Sequence, residues 1–412
     1  PEDKTFLAGI GREAESVVRR LRHHPCLVLW CGNNENHWGF DEWWPPRPKR
    51  YGEVIYDRIL PKVCRTLDPS RPYWPGSPYG GPTANHPDYG DRHEWTVWIF
   101  WQNPEKYRES RARFVSEFGF QAMPDVRTVR EYTKAEDRWL FSPVIDHHNK
   151  CDDGHPRNLK FIAGGYGLPR DLDDYIYLSQ VVQAEAIKMG VEHWRRRWPA
   201  TGGALYWQHN DCWPVASWSA VDSAGRPKGL WYASRRFFAP VLVSLCPAGK
   251  EAYGKIDLEV WACHDGMRPR PAKVEVAAWT VDGKCTCRKT RSVQLPANGS
   301  RHLDTIEYKS LGLPCPERGM IHLRLTSGRE LLSENTYFFS LARHTEWMDP
   351  GLKLKVFRQI GGMRIDISVR RPARAVYLAV DAYEGRFSDN WFDLFPGQRK
   401  TIFWMSTGNC PA

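Results

Sequence analysis

The stretch Arg20–Asn36, RLRHHPCLVLWCGNNEN, decides the fold class because it joins the end of a helical pattern to a short apolar run. Upstream, apolar residues recur at three- and four-residue steps, as on one face of an amphipathic helix. Pro25 disfavours continuation of that helix. Cys26–Trp30 is then continuously apolar, which is typical of a strand buried on both faces of a parallel sheet. The upstream apolar residues are Phe6, Leu7, Ile10, Ala14, Val17, Val18 and Leu21.

The same order of helix and strand repeats along the first 240 or so residues. Val54–Val63 is helix-like and precedes an extended segment, and Asp171–Trp198 forms a long periodic segment that opens with acidic residues suited to a helix N-terminus. Five predicted strands separated by helical or loop material favour part of a right-handed (β/α)8 barrel, three strands short of closure. The predicted strands are Cys26–Trp30, Arg71–Trp74, Trp95–Phe100, Phe114–Ser116 and Gly203–Trp207.

From about Ala239 the pattern changes to alternating strands separated by turns such as Asp282-Gly283 and Ser327-Gly328. This spacing is typical of immunoglobulin-like β-sandwiches. The predicted fold is therefore multidomain, α/β followed by all-β, with domains at 1–238, 239–342 and 343–412. The sandwich strands are predicted at Lys255–Cys263, Lys273–Thr280, Met320–Thr326 and Asn335–Leu341, and then at Leu352–Phe357, Met363–Val369, Ala375–Ala382 and Thr401–Met405.

Composition narrows the possible partners. The chain has 20 Trp, 17 Tyr and 17 Phe, and aromatic faces either stack on sugar rings or fill cores. The net charge of +10 is spread along the chain, so we expect no nucleic-acid partner. No apolar run approaches the roughly 18 residues of a membrane span, so we expect no membrane partner. Eleven cysteines without regular spacing leave the disulfide state and the redox compartment open.

Two carboxylates follow predicted strands directly. Glu35 comes after the first strand and Glu117 after the fourth, and the C-terminal ends of barrel strands form the face where chemistry occurs. Retaining hydrolysis of glycosides needs two such carboxyl groups about 5 to 5.5 Å apart. Either glutamate taken alone is equally compatible with a surface or ion-paired carboxylate.

The motifs around these glutamates carry a resemblance. RLRHHPCLVLWCGNNEN is similar to the fourth-strand motif of family 2 glycoside hydrolases, and RFVSEFGFQAMP (113–124) to their seventh-strand motif. The segment GALYWQHNDCWPVASWSAVDSAGRPKGLWYASRRFFAPV (203–241) resembles the eighth strand of the β-mannosidases and the related exo-β-glucosaminidases. YGDRHEWTVW (89–98) and LDDYIYLSQVVQAEAIK (172–188) fit the same group, and RFSDNWFDLFPG (386–397) resembles its trailing domains less closely.

The resemblance implies a retaining mechanism that needs no metal or cofactor. Glu35 would be the general acid/base and Glu117 the nucleophile. Asn34 would bind the sugar 2-hydroxyl. The same resemblance places Trp43, Trp98 and Trp207 around the sugar and His93 at the pocket wall, with packing beneath the barrel mouth as the alternative for the aromatics. The five strands would be barrel strands 4 to 8.

The implied substrate is a terminal β-D-mannoside, as an oligosaccharide or glycoconjugate. The glucosaminidase relatives typically carry Asp at the acid/base position, whereas this chain has Glu35, which favours mannosides. Exo-β-D-glucosaminidase activity and non-catalytic carbohydrate binding are the alternatives. The sequence leaves the oligomeric state open, and cytoplasmic, periplasmic, secreted and lysosomal localisation all remain compatible with it. Because family members begin with further domains and three more strands, we expect this chain alone to be unstable or inactive.

One other polar cluster has the residue types of a metal site. It contains His147, His148, Cys151, Asp152, Asp153 and His155, and its spacing matches no known ligand pattern. We interpret it as a polar, partly exposed loop near the active-site rim.

Overall fold

The computed structural model describes residues 2–381 and 383–407, and these form two compact units. Among them, the first unit comprises residues 2–95, Glu109–Phe118 and Ala200–Tyr206. The second unit comprises Thr96–Arg108, Gly119–Pro199 and the described residues from 207 onward. The predicted strand ends at Ala382 and the predicted domain ends at Pro1 and Ala412 lie outside the described residues. None of the described helices is long and apolar enough to cross a membrane.

The helices of the first unit are α1 (Lys4–Leu21), α2 (Asn36–Trp38) and α3 (Leu60–Leu67). Asp3 caps α1 by accepting the backbone N–H groups of Thr5 and Phe6 at 2.9 and 3.0 Å. The apolar face of α1 buries Val18 against Val63 and Cys64 of α3. The helix ends before Pro25, so the helix predicted from the apolar spacing is confirmed. One turn of π-helix, Gly39–Trp43, continues α2, and another, Ile55–Ile59, leads into α3.

The strands of the first unit are short and pair in parallel. They are β1 (Trp30–Cys31), β2 (Tyr73–Trp74), β3 (Arg92–His93) and β4 (Val115–Glu117). β1 pairs with β2 and β3 pairs with β4. A single parallel bridge joins Val115 to Ala204, where the last barrel strand was predicted. Parallel pairing brings the carboxyl ends of these strands to one side, and the barrel itself stays a prediction.

The strand predicted at Trp95–Phe100 is wrong. Strand β3 ends at His93, and the apolar run belongs to a short helix, α4 (Thr96–Ile99). Val97 and Trp98 of α4 are at most 1% exposed. A short apolar run has the same sequence signature in a helix and in a strand, so the pattern could not separate them.

The other helices of the second unit are α5 (Val126–Tyr132), α6 (Pro143–His147), α7 (Gly154–Gly165), α8 (Leu172–Arg196) and α9 (Gly229–Phe237). The long helix predicted at Asp171–Trp198 is confirmed as α8. Asp171 caps it by accepting the N–H of Asp174 at 2.8 Å.

An antiparallel sandwich follows α9. One sheet has the order β5-β6-β9 and the other β11-β10-β7-β8. Both sheets contribute to one apolar core, in which Val260, Leu323 and Phe339 are fully buried. The strands are β5 (Val241–Pro247), β6 (Leu258–His264), β7 (Arg270–Thr280), β8 (Cys285–Leu295), β9 (Gly299–Ile306), β10 (Gly319–Ser327) and β11 (Glu330–Phe338).

A smaller all-β segment completes the described chain. Its sheets have the orders β12-β13-β17-β15 and β14-β16, and its core includes Ile367 and Trp404. The strand predicted from Ala375 was placed too far along, because β14 ends at Val376. The strands are β12 (Lys353–Gln359), β13 (Gly362–Ser368), β14 (Ala373–Val376), β15 (Gly385–Phe387), β16 (Phe392–Leu394) and β17 (Arg399–Ser406). The cysteines that the structure describes are free thiols.

Candidate active site

Glu35 lies on a tight turn that begins where β1 ends. Its backbone has φ +62°, a left-handed conformation that side-chain-bearing residues rarely adopt. Hydrogen bonds to the segment after β2 hold this turn: the N–H of Glu35 donates to the carbonyl of Ser77 at 2.7 Å, and the N–H of Ser77 donates to the carbonyl of Asn33 at 2.9 Å. The surrounding backbone therefore fixes the conformation of this carboxylate-bearing residue.

Close backbone approach makes the turn possible. A Cβ on Gly32 would lie 2.5 Å from the carbonyl oxygen of Pro75, and one on Gly76 would lie 2.9 Å from the side-chain nitrogen of Asn33. Asn33 fills the remaining space: its Oδ1 accepts the N–H of Asn36 at 3.0 Å and its Nδ2 donates to Pro75 at 2.7 Å. Two glycines and one amide thus shape the loop that carries Glu35.

Glu117 is the last residue of β4 and is 7% exposed. Its neighbours Val115 and Phe118 are fully buried, so the strand end is anchored in apolar surroundings. The carbonyl of Glu117 accepts the N–H of Glu94 at 2.7 Å, and Glu117 lies opposite His93 in the parallel pair.

His93 brings the two glutamates together. Its Nδ1 lies 2.7 Å from Oε1 of Glu35 and 2.5 Å from Oε2 of Glu117. The hydrogen bond is directed at Glu35, whereas Oε2 of Glu117 is in close electrostatic contact without a well-directed hydrogen bond. The ligating atoms of all three residues lie within 4.8 Å of one another. His93 is 2% exposed, so it contacts the glutamates and presents almost no surface to a ligand.

Burial alone would lower the pKa of His93. Its contacts with Glu117 and Glu35 outweigh burial and raise that pKa to about 9. On the other side of the ring, Nε2 of His93 lies 3.0 Å from Oγ of Ser77. Ser77 in turn donates to Oδ2 of Asp91 at 2.6 Å. The site is therefore two carboxylates around one buried imidazole that a third carboxylate supports.

Glu35, His93 and Glu117 also have the residue types of a cation site. Atoms that share one zinc ion at its usual bond lengths lie about 3.3 Å apart. The contacts of Nδ1 with the two carboxylates, at 2.7 and 2.5 Å, are shorter and match charged hydrogen-bonding distances. In this arrangement the three residues fit each other better than they fit a shared metal ion.

The remaining predicted residues of the first unit lie beside Glu35. Asn34 is exposed, next to Glu35 in the turn. Trp43 is 51% exposed and contacts Trp38 edge-on, with ring centroids 6.0 Å apart. Trp38 makes a similar contact with His93, at 6.2 Å. A row of aromatic rings therefore extends from His93 through Trp38 to the exposed Trp43. The sequence analysis predicted Trp43 as a site residue but did not name Trp38.

Trp98 and Trp207 belong to the second unit. Trp98 is 1% exposed and packs against Phe120 and Phe161. That burial favours the packing role that the sequence left open for it. Trp207 is 43% exposed, so it has surface available for stacking, and its role stays a prediction.

The cluster from His147 to His155 is held by internal contacts within the second unit. His148 contacts the carbonyl of Pro214 at 2.6 Å, and Asp153 pairs with Arg157. His155 is fully buried between Tyr175 and the carbonyl of Ile145. The interpretation of this stretch as a partly exposed polar loop is therefore wrong for His155.

A cavity of about 850 Å³ lies within the second unit. Its lining includes Glu192, which accepts Nδ2 of Asn335 at 2.7 Å, and Asn335 in turn accepts Lys188 at 2.7 Å. Arg374 pairs with Glu185 at 2.5 Å in the same lining. These polar groups of the lining satisfy each other.

Sequence reasoning missed Ser77, Asp91 and Ser116. Both hydroxyls donate to Oδ2 of Asp91 at 2.6 Å, which links the segments after β2, before β3 and within β4. Asp91 stands inside the quoted segment YGDRHEWTVW, two residues before His93. This position, close to His93 in a quoted motif, was the only sign in the sequence that Asp91 belongs to the site.

Comparisons with known proteins agree with this fold. Family models match two segments: a mannosidase Ig/CBM-like domain at residues 257–344 and an Ig-fold domain of mannosidases at 347–409. Beta-mannosidase B of Aspergillus clavatus is 33% identical over 454 residues, covering 100% of this chain and 52% of the relative. Beta-mannosidase B of Thermothelomyces thermophilus is 32% identical, covering 98% and 52%.

Solved structures give the same result. A β-D-mannosidase from Dictyoglomus thermophilum superposes with a TM-score of 0.88 at 35% identity, covering 99% of this chain and 50% of that protein. An exo-chitosanase from Amycolatopsis orientalis has a TM-score of 0.74 at 15% identity, covering 99% and 52%, and shows the fold alone. The chain therefore resembles part of the proteins of glycoside hydrolase family 2. Within that family it resembles the β-mannosidases, and it spans about half the length of the curated relatives it matches.

Proposed function

We propose that this chain carries the two catalytic carboxylates of a retaining β-mannosidase. One observation supports the mechanism above all: a Glu35 oxygen and a Glu117 oxygen lie within 4.8 Å of each other. Retaining glycosidases hold their carboxyl groups about 5 to 5.5 Å apart, whereas inverting ones leave about 6.5 to 9.5 Å for a water molecule. The observed spacing is therefore closer to the retaining than to the inverting arrangement.

In the proposed first step, an oxygen of Glu117 attacks the anomeric carbon. The bond to the leaving oxygen breaks, and Glu35 gives its proton to that oxygen. The sugar is then held as an ester on Glu117. In the second step, Glu35 takes a proton from water while the water oxygen attacks the anomeric carbon and Glu117 leaves as a carboxylate. Two inversions give net retention.

The other residues of the turn have supporting roles in the proposal. Asn34, exposed next to Glu35, binds the 2-hydroxyl of the sugar through its amide. Trp43 offers an exposed aromatic face for stacking. Trp207, also exposed, is proposed as a second stacking residue. The short parallel strands that carry Glu35 and Glu117 are proposed to be barrel strands 4 and 7.

The substrate class rests on the relatives. The similar proteins named above are β-mannosidases, and Glu35 stands where the related glucosaminidases typically have Asp. We therefore propose terminal β-D-mannosides of oligosaccharides or glycoconjugates as substrates. Exo-β-glucosaminidase activity is the enzymatic alternative, and carbohydrate binding without turnover is the non-enzymatic one.

Covalent trapping tests the proposal. The chain, alone and within its full natural coding sequence, is treated with 2-deoxy-2-fluoro-β-D-mannosyl fluoride, and the labelled peptide is identified by mass spectrometry. We expect the label on Glu117, its loss in Glu117→Gln, and full labelling in the control Glu13→Gln, which changes an exposed residue of α1. Absence of label from both forms of the protein would contradict the retaining mechanism.

Hydrolysis of p-nitrophenyl glycosides then separates the substrates. Turnover of the β-mannoside over the β-glucosaminide and β-galactoside supports the proposed specificity. Preference for the glucosaminide would replace it with the enzymatic alternative. Saturable mannoside binding without turnover or label would identify a binding protein.

A further inference from the structure

The hydrogen bonds of Asp91 determine where the protons around His93 lie. Oδ2 of Asp91 accepts the hydroxyls of Ser77 and Ser116, both at 2.6 Å. Its Oδ1 accepts Nε1 of Trp74 at 2.8 Å and the N–H of Tyr79 at 3.0 Å. With four donors directed at it, Asp91 acts only as an acceptor. Oγ of Ser77 also lies 3.1 Å from Oγ of Ser116, but its contact with the Asp91 carboxylate is shorter, so the hydroxyl proton of Ser77 points towards Asp91.

Because the hydroxyl proton of Ser77 points towards Asp91, Ser77 can only accept a hydrogen bond from His93. Nε2 of His93 lies 3.0 Å from Oγ of Ser77, and an oxygen whose own proton is engaged can only accept there. Nε2 therefore carries a hydrogen. Nδ1 faces Oε1 of Glu35 and Oε2 of Glu117, and a bare nitrogen lone pair 2.5 Å from a carboxylate oxygen would be repulsive. Nδ1 therefore carries a hydrogen as well.

We propose that Asp91 is a positioning residue that, through Ser77, holds His93 as a doubly protonated cation between Glu35 and Glu117. This inference rests on the proposed function, in which the negative charge alternates between the two glutamates. Glu117 is the anion before attack, and Glu35 is the anion once the glycosyl ester has formed. A single cation in contact with both carboxylates neutralises the negative charge in either state. The charge can therefore pass from one glutamate to the other without a rearrangement of the site.

The charged groups around His93 agree with this assignment. Glu35 faces it from the turn after β1, Glu117 from β4, and Asp91 from the segment before β3 through Ser77. Arg92 lies beside His93 in β3, but its guanidinium is paired with Glu94 at 2.7 Å. Within the described first unit, the groups in contact with the imidazole are therefore anionic or neutral. The raised pKa of His93, about 9, agrees with a cationic ring.

The chain offers a matched pair of variants. Ser77 and Ser116 both donate to Oδ2 of Asp91 at 2.6 Å, but Ser77 also contacts Nε2 of His93. Ser77→Ala removes the acceptor, whereas Ser116→Ala removes the other hydroxyl bonded to Oδ2, which also lies 3.1 Å from Oγ of Ser77, and leaves the contact with His93 in place. In Asp91→Asn, the amide N–H can donate to Ser77, which then directs its own hydroxyl at Nε2. Asp88→Asn, at an exposed position of the same segment, is the control for that substitution.

Nitrogen-15 NMR of the histidine-labelled chain reads the protonation directly, because imidazolium and the two neutral tautomers give different nitrogen shifts. We expect His93 to be doubly protonated at pH 7.5 in the unsubstituted chain, in Ser116→Ala and in Asp88→Asn. Its titration midpoint, about 9 in the unsubstituted chain, should be lower in Asp91→Asn and Ser77→Ala, in which the contacts with the two glutamates remain but Nε2 no longer has an acceptor. An unchanged midpoint in either of these two variants, or an equal decrease in Ser116→Ala, would overturn the proposal.

Measurements of kcat and of covalent labelling distinguish a failure of this inference from a failure of the proposed function. In the full natural coding sequence, kcat should fall about 100-fold in Ser77→Ala and change little in Asp88→Asn. An unchanged kcat in Ser77→Ala would count against the positioning role. If Glu117 takes no label, the retaining mechanism fails, while the nitrogen shifts still decide the state of His93. A thermal melt checks that each variant folds, and Ser77→Ala, which deletes one hydroxyl, is the milder alternative to Asp91→Asn.

Discussion

Oδ1 of Asn33 accepts the backbone N–H of Asn36 at 3.0 Å, and this bond spans the left-handed residue Glu35, the proposed acid/base. The amide of Asn33 also holds the carbonyl of Pro75. A side chain with no direct part in the chemistry therefore fixes the direction in which Glu35 leaves the backbone.

Asn33→Ala should destabilise the first unit and reduce turnover together. The substitution leaves Pro75 and Asn36 without their side-chain partner, which costs about 1–3 kcal/mol. Denaturant unfolding measures the first effect and kcat the second. Asn103→Ala, at an exposed position, is the control. Loss of stability with an unchanged kcat would mean that Asn33 supports the fold without positioning Glu35.

Glu35→Gln should show a strong dependence on the leaving group. Glycosides with acidic phenols need no proton from the enzyme in the first step, so their glycosylation should be nearly preserved. Alkyl mannosides should lose about 100-fold or more, since general acid catalysis contributes that much. Pre-steady-state rates across a series of aryl and alkyl mannosides measure the slope, with Glu13→Gln as control. A uniform loss across the series would argue against Glu35 as the proton donor.

Stability of the first unit should fall as the pH rises above neutrality. The pKa of His93 is raised to about 9 in the fold, because its contacts with Glu117 and Glu35 outweigh burial. A raised pKa contributes stability that is complete below the unfolded value of about 6.5 and is lost as the pH passes through about 9. The difference between pH 6 and pH 10 should be up to about 3 kcal/mol.

Denaturant unfolding at a series of pH values measures this loss. His93→Gln removes the titrating group, so its stability should depend less on pH over the same range, whatever its absolute stability. If the two proteins had the same slope, another group would account for the effect.

The sandwich formed by β5 to β11 should depend on its shared core. Leu323 of β10 is fully buried, and Leu323→Ala should cost about 2–5 kcal/mol through the lost contacts and the cavity it leaves. Leu331 of the adjacent strand β11 is 43% exposed, so Leu331→Ala should cost much less. Chemical unfolding monitored by tryptophan fluorescence compares them. Equal losses would mean that this core contributes little to the measured transition.

Local signals explain which elements the sequence could predict. Helix α8 has an aspartate cap and a periodic pattern, so Asp171–Trp198 was predicted nearly to its ends. Glu35 and Glu117 could be proposed because each stands in a recognisable motif after an apolar run. The strand expected at Cys26–Trp30 to be buried on both faces is wrong, because β1 is only Trp30–Cys31 and Val28 and Leu29 are 73% and 41% exposed. The run containing Trp98 could not be assigned correctly, because the four residues of α4 are too few to show the periodicity that separates helix from strand.

Long-range contacts explain what the sequence could not predict. Asp91 meets Ser77 across 14 positions and Ser116 across 25. Serine and aspartate are common in loops for local reasons, so their types alone carry no signal of this network. The fold brings them together, and only then does His93 appear as a link between the two glutamates.

Gly32 and Gly76 carry no functional group, yet a methyl group on either would collide with the loop that holds Glu35. Substitution there would move the carboxylate without touching it. In a selection for turnover among random variants, these two positions would therefore tolerate as little change as the glutamates. Mutational sensitivity alone would not distinguish the residues that perform the chemistry from those whose absence of a side chain makes room for it.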